Sequence, residues 1–151
     1  MKQVTIYAWG RSNHTQWQGK FKVALECQGH YKYLSDTLEN VTTDQCTLTG
    51  IIAAVHLIRE PCTLTIVTSA RVSFGNFTRL RGSNKELKGL LIRLIRAKQC
   101  HARAAVWDDQ DVPLRSKLRE IAQQAVQVDP VDVAAYYGVP RATQLALFGN
   151  K

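Results

Sequence analysis

The first forty residues of the chain contain three strand-like segments, the first of which alternates apolar and polar residues with the period of two that is typical of β-strands. Residues 4–9 alternate in this way and are rich in β-branched and aromatic side chains, so they predict a first strand. The five residues that follow, with Gly10 at their head, predict a turn. Three strands in close succession predict an antiparallel meander. The second and third strands are expected over residues 17–27 and 29–38.

Beyond residue 42 the apolar spacing changes to the three- and four-residue period of amphipathic helices. Thr43 or Asp44 is expected to cap the first helix, and Pro61 is expected to end it, because proline cannot continue a helix. The continuous apolar run 64–68 predicts a strand that is buried on both faces. The other predicted elements are a helix capped by Asn84 that reaches about residue 98, a strand over 101–107, a helix over 114–126 and a short helix over 130–137.

The composition of the 151 residues is that of one globular domain with a basic surface. The net charge of +8 favours a polyanionic partner, nucleic acid first, although the same charge can serve solubility alone. No apolar run approaches the ~18 residues of a membrane span, and strand-like residues follow Met1 directly, so we expect a cytoplasmic protein without a signal peptide. The cysteines lack paired metal-binding spacing and are expected to be reduced, mostly buried thiols. They are Cys27, Cys46, Cys62 and Cys100.

The predicted order β-β-β-α-β-α-β-α, together with three local motifs, resembles type I ribonuclease H. Residues 2–7 resemble the first strand of that family, residues 42–48 resemble its Thr-Asn-Asn-Arg-x-Glu-Leu helix start, and residues 60–69 resemble its strand ending in Thr-Asp-Ser. The resemblance implies an α/β ribonuclease H-like fold over residues 1–127, with a five-stranded mixed sheet flanked by helices. It leaves residues 128–151 as a short helix, a linker and a C-terminal tail.

The positions of the family's metal-binding carboxylates hold other residues in this chain. Trp9 replaces the aspartate after the first strand, Thr47 replaces the helix glutamate, and Ser69 replaces the second aspartate. The fourth carboxylate position falls at Arg119. Two-metal hydrolysis needs several carboxylates to hold two divalent ions about 4 Å apart. The resemblance therefore implies an inactive domain with no metal site and no cofactor.

Two other functions stay open at this point. A divergent nuclease would need a relocated acidic site, and Asp108, Asp109 and Asp111 form the tightest acidic cluster, with Glu86 or Asp44 as further carboxylates. A solvated loop is the plainer interpretation of that cluster. The chain could instead be a protein-interaction module whose positive charge serves solubility.

Candidate contacts to DNA or to an RNA–DNA hybrid follow from the resemblance. Family members hold nucleic acid with residues after the first strand and at the N-terminus of the first helix. A base can also stack on Trp9, or the indole can fill the former metal site. The basic face of the helix predicted near residues 85–98 is a further positive surface. The contacts implied residue by residue are Arg11, Asn13, Thr43, Gln45 and, beside the cleft, Arg71.

The pentapeptide 144–148 resembles the Gln-Leu-x-Leu-Phe motif with which bacterial polymerases and repair proteins dock on the sliding clamp. In that mode the last two apolar residues enter a pocket and the glutamine bonds at its rim. The alternative is that the apolar residues pack back on the domain. The motif residues are Gln144, Leu145, Leu147 and Phe148. The sequence thus predicts an inactive ribonuclease H-like binding protein that the clamp recruits during DNA replication or repair.

Overall fold

Strands β1 (Lys2–Asn13), β2 (Gln18–Cys27) and β3 (His30–Glu39) form the expected antiparallel meander in the computed structural model. The structure describes residues 1–13, 18–69, 85–107 and 114–124. Gln28 and Gly29 join β2 to β3 with φ angles of 53° and 80°. Positive φ at both central residues is what a type I′ hairpin turn requires, and it matches the right-handed twist of the strands.

The first strand is longer than its alternation predicts. A turn was expected from residue 10, but β1 continues to Asn13, which pairs with Gln18 of β2. Gly10 and Ser12 replace apolar residues at inward positions, so the period of two is masked in the sequence. Ser12 is nevertheless buried, and its hydroxyl donates to the carbonyl oxygen of Val41 at 2.6 Å. The inward position is filled by a hydrogen-bonded polar side chain instead of an apolar one.

Two parallel strands complete a five-stranded mixed sheet in the order β3-β2-β1-β4-β5. β4 (Cys62–Ser69) pairs with β1, and β5 (His101–Trp107) pairs with β4. Parallel neighbours require a crossover, which α1 (Thr43–His56) supplies before β4 and α2 (Lys85–Ala97) supplies before β5. The α/β class and the mixed sheet are therefore confirmed.

The sheet has a large core on one face and a small core on the other. Inward residues such as Ile6, Phe21 and Leu64 belong to the larger core, which α1 and α2 also contribute to. The smaller core lies under α3 (Leu114–Gln124), where Leu118 and Ile121 are buried as predicted. Alternation along β1 therefore sends its even-numbered residues to the larger core and its odd-numbered residues to the α3 face. No helix in the described ranges is long and apolar enough to cross a membrane.

Both ends of α1 differ from the prediction. Its N-cap is Thr42, not Thr43 or Asp44: the Thr42 hydroxyl accepts from the Gln45 amide at 3.2 Å, and the Gln45 side chain accepts from the Thr42 amide at 2.8 Å. This reciprocal pair is a capping box. The helix ends at His56, before Pro61 can act on it. The ammonium of Lys98 donates to the carbonyl oxygens of His56 and Ile58 at 3.1 and 2.7 Å, and so satisfies this end of the helix.

Replacing Thr42 by alanine is expected to lower the free energy of unfolding by about 1 kcal/mol, because it removes the acceptor for the Gln45 amide. Urea denaturation followed by circular dichroism measures the change. Thr42→Ser keeps the hydroxyl and should retain most of the stability. If Asp44→Ala lowered the free energy of unfolding more than Thr42→Ala does, Asp44 and not Thr42 would be the N-cap of α1.

Candidate nucleic-acid interface

Three of the four positions at which the resemblance expects carboxylates lie on the α3 side of the sheet. Trp9 is an odd-numbered residue of β1, and Ser69 is the last residue of β4. They lie two residues beyond Tyr7 and Val67, the last paired positions of these parallel strands, in the direction in which both strands run. Arg119 is an exposed residue of α3. Separate segments of the chain thus bring Trp9, Ser69 and Arg119 to one end of the same face of the sheet.

Thr47 lies on the opposite side of the sheet, where α1 crosses β1 at Gly10. A Cβ atom built on Gly10 would lie nearest the Thr47 hydroxyl, and 2.7 Å from the Thr47 amide nitrogen. The hydroxyl donates to the carbonyl oxygen of Thr43 at 2.9 Å, and the residue is only 1 % exposed. This side chain is therefore enclosed and satisfied by α1 itself.

Positive charge surrounds Trp9. The Nζ atom of Lys22, its partner on β2, lies 5.5 Å from the indole ring centroid, and the Cζ atom of Arg115 lies 5.4 Å from it. Both distances are those of cation–π contacts. Burial lowers the pKa of Lys22, and so do the nearby charges of Lys20, Arg115 and Arg119. Trp9, Lys20, Lys22, Arg115 and Arg119 are called the Trp9 cluster below.

The cations of the Trp9 cluster form no ion pair with a carboxylate among the described residues. Within the described ranges no salt bridge involves any of them, and the charged groups that move the pKa of Lys22 are all cations. The acidic residue further along this face of β2, Glu26, accepts from the Tyr7 hydroxyl at 3.1 Å. Like charges held together attract an anion.

Aromatic side chains pack together beneath the cations of the Trp9 cluster. Trp9 itself packs partly buried at the border of the small core under α3. Beside it, Tyr7 meets Trp107 edge to face, with ring centroids 6.1 Å apart and an interplanar angle of 72°. Burial, together with the hydrogen bond to Glu26, raises the pKa of Tyr7 to about 12. The Tyr7 hydroxyl therefore stays protonated near neutral pH and adds no negative charge beside the Trp9 cluster.

The proposed nucleic-acid contacts divide into two groups. Arg11 is exposed, faces the α3 side and pairs with Lys20 across the β1–β2 ladder, so it extends the positive surface. Asn13 lies further along the same face of β1 and is exposed. Thr43 and Gln45 instead use polar atoms within the fold: the Thr43 hydroxyl accepts from the Ser12 amide at 3.1 Å, and Gln45 belongs to the capping box. The structure thus brings Arg11, but not the helix start, to the Trp9 cluster.

The basic face of α2 is smaller than the sequence predicts. Lys85, Arg93 and Arg96 are exposed on it. Lys98, however, lies just beyond the end of the helix and directs its ammonium at the carbonyl oxygens at the end of α1. This surface remains an alternative binding face, with one cation removed from it.

Sequence reasoning missed Lys20, Lys22 and Arg115. The signal was present in the spacing: Lys20 and Lys22 alternate with the buried Phe21 and Val23, so they must share the opposite face of β2. Arg115 precedes Arg119 by four residues and thus lies one helical turn from it. What the sequence lacked was the strand register that sets Lys22 beside Trp9.

Several predicted site residues lie outside the described residues. They are Arg71, the acidic residues Asp108, Asp109 and Asp111, and the clamp-motif residues Gln144, Leu145, Leu147 and Phe148. Within the described part of the chain, no three His, Cys, Asp or Glu side chains form a group that could hold a metal ion, and this includes Asp44 and Glu86.

The cysteines are free thiols, as predicted, and Cys46, Cys62 and Cys100 are buried. The sulfur atoms of Cys62 and Cys100 lie 3.4 Å apart, at the end of the sheet where β4 begins. Burial raises the pKa of Cys46 and of Cys62 to about 12. These thiols are therefore protonated near neutral pH and behave as small apolar side chains of the core.

No family model matches this chain, and no curated protein matches it. The likeness to ribonuclease H therefore depends on the motifs and on the arrangement of strands and helices.

Proposed function

We propose that this chain is a catalytically inactive ribonuclease H-like protein that binds nucleic acid through the Trp9 cluster. Two kinds of observation support the ribonuclease H-like fold: the three sequence motifs, and a five-stranded mixed sheet whose elements follow the order expected of that fold. The C-terminal motif would recruit the protein to the bacterial sliding clamp during DNA replication or repair.

The observation that carries the proposal is a cluster of positive charge at positions where the resemblance expects metal-binding carboxylates. The resemblance expects carboxylates at the positions of Trp9, Ser69 and Arg119, and the structure adds the cations Lys22 and Arg115 around the indole. A divalent cation would be repelled here, because two like charges a few ångströms apart interact unfavourably by several kcal/mol at the effective dielectric of a protein surface (about 4 kcal/mol for unit charges at 4 Å). The same charges favour phosphate oxygens.

Nucleic acid fits this surface better than a protein partner does. The net charge of +8 is partly gathered on one sheet face, and an aromatic ring lies among the cations. A positive groove with an aromatic platform is the combination with which proteins hold nucleic-acid backbones and bases. Charge that serves only solubility has no reason to cluster in this way.

Reversing two charges on α3 tests whether nucleic acid binds at the Trp9 cluster or at the basic face of α2. We expect Arg115→Glu/Arg119→Glu to lower the affinity for a labelled oligonucleotide on the order of a hundredfold, and to reduce the salt dependence by about two counter-ions. Fluorescence anisotropy over a series of salt concentrations measures both quantities.

The matched control is Arg93→Glu/Arg96→Glu on α2, which makes the same change of charge on a different surface. It should lose affinity only modestly, through the lower net charge. If the α2 variant loses binding and the α3 variant keeps it, the interface lies on α2. Incubation of the wild-type protein with Mg²⁺ or Mn²⁺ and hybrid, duplex or branched substrates should give no cleavage. Cleavage would favour the divergent nuclease instead.

A further inference from the structure

We propose that the nucleic acid bound at the Trp9 cluster is single-stranded, with an unpaired base stacked on the indole of Trp9 and phosphates on the surrounding cations. This inference rests on the proposed function, since it takes nucleic-acid binding by the Trp9 cluster as given. It adds the class of ligand and a separate role for the aromatic ring.

The position of Trp9 is the first support. The indole borders the small core under α3, so packing fixes one part of it, while the ring as a whole remains only partly buried. A ring that packing already holds on one side loses little conformational entropy when a base contacts its exposed part. In a duplex each base is stacked between its neighbours, so only an unpaired base can offer its face to an aromatic side chain.

The arrangement of charge is the second support. Lys22 and Arg115 both approach the Trp9 ring, and Arg119 acts electrostatically on Lys22. These cations therefore share one small region with the aromatic ring, and they have no carboxylate partner in the described ranges. A phosphate placed among them would relieve their mutual repulsion, while the base attached to it lies within reach of the indole.

The β1–β2 register continues this grouping of aromatic and basic residues along the strands. Trp9 pairs with Lys22, and the next rung on the same face pairs Arg11 with Lys20. Residues of one strand that share a face recur every two positions, roughly 6.6 Å apart. The surface is thus a narrow track of one aromatic residue and several cations, which follows a single backbone better than the two backbones of a duplex.

The test compares one 12-nucleotide DNA of mixed sequence, labelled at one end, alone and annealed to its complement. Fluorescence anisotropy with the full chain at a fixed, low salt concentration gives both affinities. We expect the single strand to bind at least tenfold more tightly than the duplex. Trp9→Ala should lower the single-strand affinity about tenfold and leave the weak duplex binding unchanged, because it removes a stacking surface without removing charge.

Two further variants keep the test decisive if Trp9→Ala disturbs the small core. Trp9→Phe retains an aromatic face and should keep most of the single-strand affinity, whereas Trp9→Leu keeps an apolar side chain without a ring and should lose it. Tyr33→Phe changes a buried aromatic residue of the same small core that lies outside the Trp9 cluster; it is the matched control and should bind like the wild type. Stacking should also quench tryptophan emission when the single strand is added, and Trp9→Phe should abolish most of that quenching.

The outcomes separate this inference from the proposed function. Equal or tighter binding of the duplex, or a Trp9→Leu variant with undiminished single-strand affinity, overturns the single-strand inference and leaves nucleic-acid binding in place. Failure to bind either DNA at low salt overturns both. Preference for the single strand together with dependence on an aromatic residue at position 9 supports both.

Discussion

Gly10→Ala is expected to lower the free energy of unfolding by about 3 kcal/mol or more, enough to leave much of a marginally stable domain unfolded. The new Cβ atom would lie 2.7 Å from the amide nitrogen and 2.9 Å from the Cα atom of Thr47, besides its clash with the Thr47 hydroxyl. Two of these three neighbours are backbone atoms of α1, so no rotamer change can relieve the contact. The helix would have to move away from β1, the central strand of the sheet.

Gly19→Ala is the matched control for this effect. Its Cβ atom would also be crowded, but by side-chain atoms: a Val41 methyl carbon at 2.6 Å and the Cys46 sulfur at 2.9 Å. Side chains can turn aside more easily than a helix backbone, so we expect a smaller loss. Urea denaturation followed by circular dichroism compares the two. Equal losses would show that α1 adjusts freely against β1.

A double variant tests whether the backbone causes the effect. Thr47→Ala removes only the hydroxyl and methyl groups, so Gly10→Ala/Thr47→Ala should recover only a small part of the lost stability. Full recovery would show that the Thr47 side chain alone excludes a larger residue at position 10. That result would contradict the close approach of the two backbones.

The crossing of β1 and α1 also bears on the proposed function. In the resemblance to ribonuclease H, the residues next to this crossing are carboxylates, at the positions of Trp9 and Thr47. In this chain Gly10 permits the crossing, while Thr47 donates its hydroxyl hydrogen bond within its own helix. Under the proposed function this contact holds β1 against α1, and neither position carries a carboxylate for a divalent ion.

The regular elements could be predicted because their side chains obey simple periods. The alternating meander and β5 follow the sequence closely, and Leu118 and Ile121 are buried as the stripe of α3 predicts. The sequence misleads where polar groups fill structural positions. Ser12 continues β1 as a hydrogen-bonded inward residue, and Thr42 becomes the N-cap because Gln45 can return its hydrogen bond.

The candidate site could be predicted only in part, because it depends on pairing between distant segments. Trp9 and Arg119 could be named from the motifs, since each stands at a position that the resemblance marks. Lys22 could not, because its place beside Trp9 follows from the β1–β2 register, and Arg115 matters only through the packing of α3 on the sheet. Periodicity gives the face on which a side chain lies, whereas its neighbours on that face require the tertiary structure.

The C-terminal motif leads to the second large effect: Leu147→Ala/Phe148→Ala is expected to abolish binding to a bacterial sliding clamp. In the proposed mode these two side chains fill the apolar pocket of the clamp and supply most of the binding energy. A short segment that becomes ordered on binding is typically held at about micromolar affinity, so the loss of both anchors should take binding below detection. Surface plasmon resonance with immobilised clamp and the full chain measures this.

Two matched variants make the clamp experiment specific. Ala146→Ser changes the variable position of the motif and should bind the clamp like the wild type. Arg115→Glu/Arg119→Glu should also retain clamp binding, because its charges act on nucleic acid at a separate surface. Clamp binding that survives in Leu147→Ala/Phe148→Ala would place the contact elsewhere on the protein. Absence of binding by the wild-type chain would instead favour packing of these side chains on the domain, and would leave nucleic-acid binding as the function to test.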